Sequence, residues 1–286
     1  MPSLIDMRRR IRSVRSTQQL TKALKMVSAA KLRRAQDRVV AARPYAGILR
    51  ELIAEVAAAA GGRESLAAHA LLARRPEERI QLVLLTADLG KAGAFNTNVI
   101  RASQQFLEQR PGARVELELV GRKGRDFYRK RSASITGEHL GLYKQARYED
   151  AAAVARKIVP RYRDREIDAV YILYNEFRSM VSQKVNLRRL LPMELPEGVP
   201  PADYIYEQPP GELLESLLPR FVEISVHHAI LESAAAEHAA RMTAMDAATS
   251  NAAEMIDQLT LRMNRVRQAS ITKEIIEVVS GAAALE

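Results

Sequence analysis

Stepping alternately three and four residues from Leu214 lands on Leu217, Phe221, Ile224, His228, Leu231, Ala235, His238, Met242, Met245, Thr249, Ala252, Ile256, Leu259, Met263 and Val266. Thirteen of these sixteen positions are apolar, counting the small Ala235 and Ala252. A 3.5-residue repeat held in register over seven heptads predicts a coiled-coil seam rather than an ordinary surface helix. At about 1.5 Å per residue the stretch would extend roughly 80 Å. His228, His238 and Thr249 interrupt the seam, as polar residues do where they fix register. Pro219 lies inside the pattern, and an interior proline costs about 3 kcal/mol. A kink, or the start of the regular helix, is expected there.

A long apolar seam needs a partner. From Ile5 to Ala59 there is one proline, Pro44, and one glycine, Gly47. Ile11, Val14, Leu20, Leu24, Val27, Leu32, Val39, Tyr45, Ile48, Leu52 and Val56 recur at helical intervals. Ala23, Ala29, Ala30, Ala41 and Ala42 predict a thin seam that lets helices approach closely. The Gly61-Gly62 pair should end the helix. An antiparallel pair made from the two ends of the chain is the economical arrangement.

The intervening sequence has a different texture. IQLVLLTA (80–87) reads as a buried strand, followed by a glycine-containing turn and a helix near Asn96–Gln109. VELELVG (115–121) repeats the plan, with a helix near Arg125–Lys130. A helix at Tyr148–Tyr162 precedes a strand at 168–175, and 179–192 alternates like an edge strand. Strand–helix alternation predicts a mostly parallel, Rossmann-like sheet with an antiparallel edge hairpin. The Pro-rich stretch 195–211 reads as loop. The expected fold is therefore α/β plus a long antiparallel coiled coil: helix 1–60 paired with helix 211–286, and an α/β domain over 76–195 inserted between them.

Charge sharpens the picture. The chain carries +10 overall, but residues 1–50 hold 13 Lys or Arg against Asp6 and Asp37 alone. That leaves 31 bases and 32 acids for the remainder, so the first 50 residues carry about +11 and everything else about −1. Such a block marks a solvated basic face or an arm that meets an acidic partner. Nucleic acid is a competing reading, weakened because aromatics that would stack on bases are not interleaved with the cations. With no cysteine among 286 residues, disulfides, thiolate metal sites and Cys nucleophiles are excluded. MPSLIDMRRR lacks the apolar core of a secretion signal and no run reaches membrane-span length, so an intracellular, soluble chain is expected.

Chemistry-bearing patterns are sparse. TADLGKAGAFNT (86–97) places a glycine turn between strand and helix, as phosphate loops do, but without the P-loop or dinucleotide spacing. GRKG (121–124) follows the second strand in the same way. Both read as structural turns, with Arg122, Lys123 and Arg125 exposed. The histidines His69, His139, His227, His228 and His238 lack metal-ligand spacing. No catalytic constellation, metal or cofactor is expected.

Two segments at opposite ends carry a resemblance. MRRRIRSVRSTQQLTKALKMVSAAKLRRAQDRVVAARPY (7–45) and ARMTAMDAATSNAAEMIDQLTLRMNRVRQASITKEIIEVVSGAAA (240–284) resemble the terminal helices of F-type ATP synthase gamma subunits, and ITKEIIEVVSGAAA (271–284) fits the family signature. TADLGKAGAFNTN, VGRKG, LYNEFRSMVSQ and DYIYE have collinear counterparts. Lys91 and Ala92 depart from the family's glycine turn, which commonly has a Cys and no Lys. The resemblance implies a non-catalytic rotor shaft that transmits torque between a membrane c-ring and an alpha3-beta3 hexamer, driving ATP synthesis coupled to proton transport. It implies contacts to beta subunits at Lys22, Lys25, Lys31, Arg34, Arg267, Gln268, Thr272 and Glu274. It also implies an apolar bearing tip at Ile271, Ile275, Val278, Val279 and Ala282–Ala284, and c-ring contacts at Tyr204, Tyr206 and Glu207. The implied partners are alpha, beta, epsilon and c-ring subunits, with delta in the same complex and one copy of this chain. No nucleic acid is expected. The implied place is peripheral, on the cytoplasmic face of the bacterial cell membrane.

Overall fold

The computed structural model describes residues 3–61, 69–194 and 204–283. The elements in chain order are α1 (Leu4–Ala59), β1 (Arg79–Leu85), α2 (Phe95–Glu108), β2 (Arg114–Val120), α3 (Arg122–Tyr128), β3 (Ser134–His139), a 3-10 turn (Leu142–Lys144), α4 (Tyr148–Arg163), β4 (Ala169–Phe177), β5 (Gln183–Leu191) and α5 (Pro210–Ala283). Contacts divide the chain into two units, Met1–Ser28 with Met242–Glu286, and Ala29–Arg241.

In the first unit the start of α1 packs on the end of α5. The Thr21 and Thr249 hydroxyls lie 2.8 Å apart, and Lys25 Nζ reaches Asp246 Oδ1. Partner numbers fall on one helix as they rise on the other, so the pair is antiparallel. Every α5 seam position expected from the heptad pattern, from Leu214 to Val266, is buried or half-buried across the two units. The seam of α1 differs from the expected one. Leu20 is 54% exposed and Val27 51%, while Thr21 and Ser28 are buried. Tyr45 and Ile48 are likewise exposed, as are Ala23, Ala30 and Ala41. The true stripe steps from Met7 through Ile11, Val14, Gln18, Thr21, Ser28, Leu32, Val39, Leu49, Ile53 and Val56. A 3.5-residue repeat is cooperative, so strongly apolar ends fix the register and force Gln18, Thr21 and Ser28 onto the inner face.

The second unit contains the sheet, in strand order β3-β2-β1-β4-β5. The first three pairings are parallel, and β5 closes the edge as an antiparallel hairpin with β4. Side chains alternate across the pleat. Ile80, Leu82, Leu84, Leu117, Leu119, Ala169 and Leu173 therefore share one face, where Val99 and Phe106 of α2 and Tyr128 of α3 complete the core. Gln81, Glu116 and Glu118 point the other way, and Arg161 of α4 donates to Gln81 and Glu116. Strand β3 was not expected. Its sequence, SITGEH, lacks an apolar run because it is an edge, and Thr136 and His139 serve Glu118 instead of a greasy core.

Two boundaries also differ from expectation, and a third, the end of α1, falls where the glycines placed it. Helix α3 begins at Arg122 rather than near Arg125. Helix α5 starts at Pro210 and runs through Pro219, whose neighbours Leu218 and Val222 are fully buried. Packing on both sides of the proline offsets its missing hydrogen bond. Helix α1 ends at Ala59, with Gly61 in the left-handed region at φ 95°. Gly62 and the Pro-rich residues 195–203 lie outside the described residues.

Within this unit α5 is clamped to the α/β module by polar groups as well as apolar ones. Glu232, almost fully buried, accepts from the Phe177 amide at 3.1 Å and from Arg43 Nη2 at 3.3 Å. Tyr143 donates to Ser233 at 2.7 Å, Tyr148 donates to Glu223, and His227 Nε2 lies 3.0 Å from the Ala146 carbonyl.

Candidate partner interface

Hydrogen bonds within the chain hold both glycine turns. In the first, Lys91 and Gly93 take positive φ, and Asn96 Oδ1 accepts the Ala87 amide at 2.9 Å. Asp88 accepts the amides of Arg122 and Gly141, tying the three loops that follow β1, β2 and β3 together. In the second, Gly121 has φ 92°, and an added Cβ would sit 1.9 Å from the Thr86 carbonyl oxygen. Arg122 and Lys123 are exposed, whereas Arg125 is only 20% exposed and pairs with Asp126 at 2.8 Å.

The two seam histidines, His228 and His238, are packing groups. Burial outweighs the Glu232 carboxylate and lowers the pKa of His228. Burial, reinforced by Arg241 and Lys31, pushes His238 down to about 4. Both are therefore neutral near pH 7, as seam positions require. Among the described residues no cluster of three or more His, Asp or Glu could hold a metal ion. No described helix is long and apolar enough to cross a membrane.

The residues expected to meet partners fall into three groups. Lys22 and Lys25 border a groove of about 320 Å³ on the first unit, with Gln18, Gln19, Asp246 and Thr249. Lys25 is tied to Asp246, a half-exposed pair of the kind worth little in water. Lys31 and Arg34 are exposed on the second unit. Arg267, Gln268, Thr272 and Glu274 are exposed on α5; the Thr272 hydroxyl donates to the Gln268 carbonyl and Glu274 accepts from Ser270.

The end of α5 is the strongest surface feature. All ten residues from Ile271 to Ser280 are exposed. Ile271 is 48% exposed, Ile275 57%, Val278 72% and Val279 61%, and their i, i+4, i+7, i+8 spacing makes one apolar stripe. In this unit α1 begins at Leu4, and Val266 is the last α5 seam position that the pairing shelters. The tip therefore has no covering partner among the described residues. The side chains of Ala282–Ala284 lie outside the described residues.

The third group is different. Tyr204 donates to Glu55 at 2.9 Å and stacks edge-on to Tyr206, while Glu207 is exposed. The Tyr206 hydroxyl is buried and unpartnered. Between them Ile205 is fully exposed. Ile205 and Met26 went unnoticed in the sequence, whereas Leu20 and Val27 were expected on the seam and instead face outward. The three on α1 emerge once the true seam positions are subtracted from the apolar ones, because an apolar residue outside the seam of that helix is left exposed.

Fold and surface together define a class of chain in which an α/β sheet is inserted in sequence between two long helices, with apolar groups left exposed. The family model described as ATP synthase matches residues 3–285. The ATP synthase gamma chain of Solibacter usitatus is 64% identical over 286 residues, covering all of both chains, and that of Anaeromyxobacter sp. (strain Fw109-5) is 49% identical over 291 residues, again in full. The chain belongs to the ATP synthase gamma-chain family. A chain of the Euglena gracilis mitochondrial ATP synthase shares its fold with a TM-score of 0.71 at 20% identity, covering 99% of this chain and 94% of that one. A chain from the central stalk and c-ring of the Tetrahymena thermophila enzyme does so with a TM-score of 0.62 at 23% identity, covering 80% and 99%.

Proposed function

We infer that this chain is the central shaft of an F-type ATP synthase, carrying torque between a membrane c-ring and the catalytic alpha and beta subunits. It performs no chemistry itself. Its partners are alpha, beta, epsilon and the c-ring, with delta in the same complex and one copy of this chain, so it meets the cytoplasmic face of the bacterial membrane only through the assembly. The observation that carries the shaft reading is the uncovered apolar stripe of α5, on a chain matched end to end by gamma chains.

An apolar tip suits a part that turns. Hydrophobic contact is non-directional, whereas hydrogen bonds would have to break and re-form at each step. Ile271, Ile275, Val278 and Val279 would turn in an apolar sleeve, with Arg267, Gln268, Thr272 and Glu274 meeting beta subunits. Lys22, Lys25, Lys31 and Arg34 would pass acidic segments of those subunits. Tyr204, Tyr206 and Glu207 would face the c-ring, and the exposed Ile205 between them favours a contact at that loop. An asymmetric shaft presents a different surface to each of three equal sites, and only that difference biases their conformations.

Purification of the tagged chain from its host should recover alpha and beta subunits in one complex. In that complex Leu24→Lys adds a charge beside the Lys25–Asp246 pair. Proton pumping driven by ATP should fall several-fold more than ATP hydrolysis. Equal loss of both, or a chain recovered without alpha and beta, sinks the assignment.

A further inference from the structure

A cavity of about 540 Å³ lies in the second unit, where the loops after β1, β2 and β3 meet α1 and α5. Open α/β sheets hold ligands in the crevice beyond the carboxyl ends of their strands, and this cavity opens on that edge. Its volume is that of an ordinary small-molecule site. Six cations line it: Lys31, Arg34, Arg38, Arg122, Lys144 and Arg241. Lys31, Arg34 and Arg38 are spaced i, i+3, i+7 and so share one face of α1.

Only two acids line the same cavity, and both are engaged. Asp88 accepts two backbone amides, and Glu237 accepts from Arg241. Arg38 donates to the Gln145 carbonyl at 2.6 Å. The side chains of Lys31, Arg34, Arg122 and Lys144 have no ion pair among the described residues. His238 adds an imidazole whose Nδ1 is buried without a hydrogen-bond partner. The lining therefore carries a surplus of about four positive charges around a water-accessible hollow. Leu89 and Leu140, both substantially exposed, add an apolar lip.

We propose that this cavity binds a compact phosphate-chain anion, free or attached to a nucleoside, through Lys31, Arg34, Arg122 and Lys144. Four unpaired cations from α1, the first residue of α3 and the 3-10 turn converge on it, and a chain of linked phosphates brings several charges close enough to engage them together. A single phosphate engages fewer and binds more weakly. This site shares no residue with the apolar tip and does not depend on the shaft reading.

Calorimetry on the full-length chain in about physiological salt tests it. Inorganic tripolyphosphate should bind saturably with one site per chain, at least tenfold more tightly than inorganic phosphate. Arg122→Gln combined with Lys144→Gln, neither of which is assigned a partner contact above, should weaken binding at least tenfold. Arg8→Gln with Arg9→Gln, on the basic start of α1 outside the cavity, should leave it unchanged. Equal weakening by the two pairs would mean diffuse attraction to a basic helix and would overturn the proposal, as would absence of saturation. ATP binding comparable to tripolyphosphate assigns recognition to the phosphate chain; binding of ATP alone refutes it. A second readout is the His238 imidazole followed by NMR, whose titration should move upward from about 4 when tripolyphosphate is added. An unmoved His238 titration would place the anion elsewhere and overturn the site.

Discussion

Replacing Glu118 by glutamine should destabilise the α/β module by about 2–4 kcal/mol, because it removes a buried charge from a network built around it. The Glu118 side chain is 2% exposed. One oxygen lies 2.6 Å from His139 Nε2, and the other accepts from Thr136 Oγ1 at 2.8 Å and Gln81 Nε2 at 3.2 Å. Hydrogen bonds to a charged acceptor are worth about 1.5–3 kcal/mol each in net terms, and a glutamine amide would point donors at donors. Folded domains keep only about 5–15 kcal/mol in total, so the loss is measurable by urea unfolding followed by circular dichroism. The effect depends on pH. Burial alone would raise the Glu118 pKa, but the hydrogen bonds from His139 and Thr136 outweigh it and hold the pKa below the usual carboxylate range. A depressed folded pKa contributes stability that is fully present above the unfolded value of about 4.3 and is lost as pH falls through the folded one. The gap between wild type and Glu118→Gln should therefore be flat near neutrality and narrow in acid. A gap under about 0.5 kcal/mol, or one that widens in acid, would refute the reasoning.

Other expectations follow from the same geometry. Gly121→Ala meets the Thr86 carbonyl at a positive φ that alanine disfavours, and should cost more than 2 kcal/mol by the same urea assay. Thr21 and Thr249 each also approach a carbonyl of their own helix, so one hydroxyl proton bridges the pair while the other returns to its helix. Replacing both by valine should leave stability unchanged or raised, while either single change costs about 1 kcal/mol; a thermal melt of the three variants decides it. Glu232→Ala strips the buried acceptor from the Phe177 amide and should lower stability by about 1–3 kcal/mol, with proton pumping falling more than hydrolysis in the assembled complex. Unchanged stability there would mean that the Glu232 acceptor contributes nothing to holding α5 on the module.

The α5 seam was legible in the sequence because periodicity is a local property: apolar side chains every 3.5 residues are sheltered whatever packs on them, and none of those sixteen positions proved exposed. Strands β1, β2, β4 and β5 were legible for a related reason, their apolar or alternating patterns bounded by turn residues. The α1 register was not, because Gln18, Thr21 and Ser28 are inner only by virtue of the helix opposite them. Strand β3 was invisible for the same cause: Thr136, Gly137 and His139 make a strand only once Glu118 of the neighbouring strand needs donors, and Gly137 leaves room for its carboxylate. The basic cavity is likewise a tertiary fact, since its cations come from α1, α5 and separate loops, and only folding decides which charges of one sign end up facing the same hollow. Sequence determined what each segment must bury; the tertiary structure decided what each residue was left to offer another molecule.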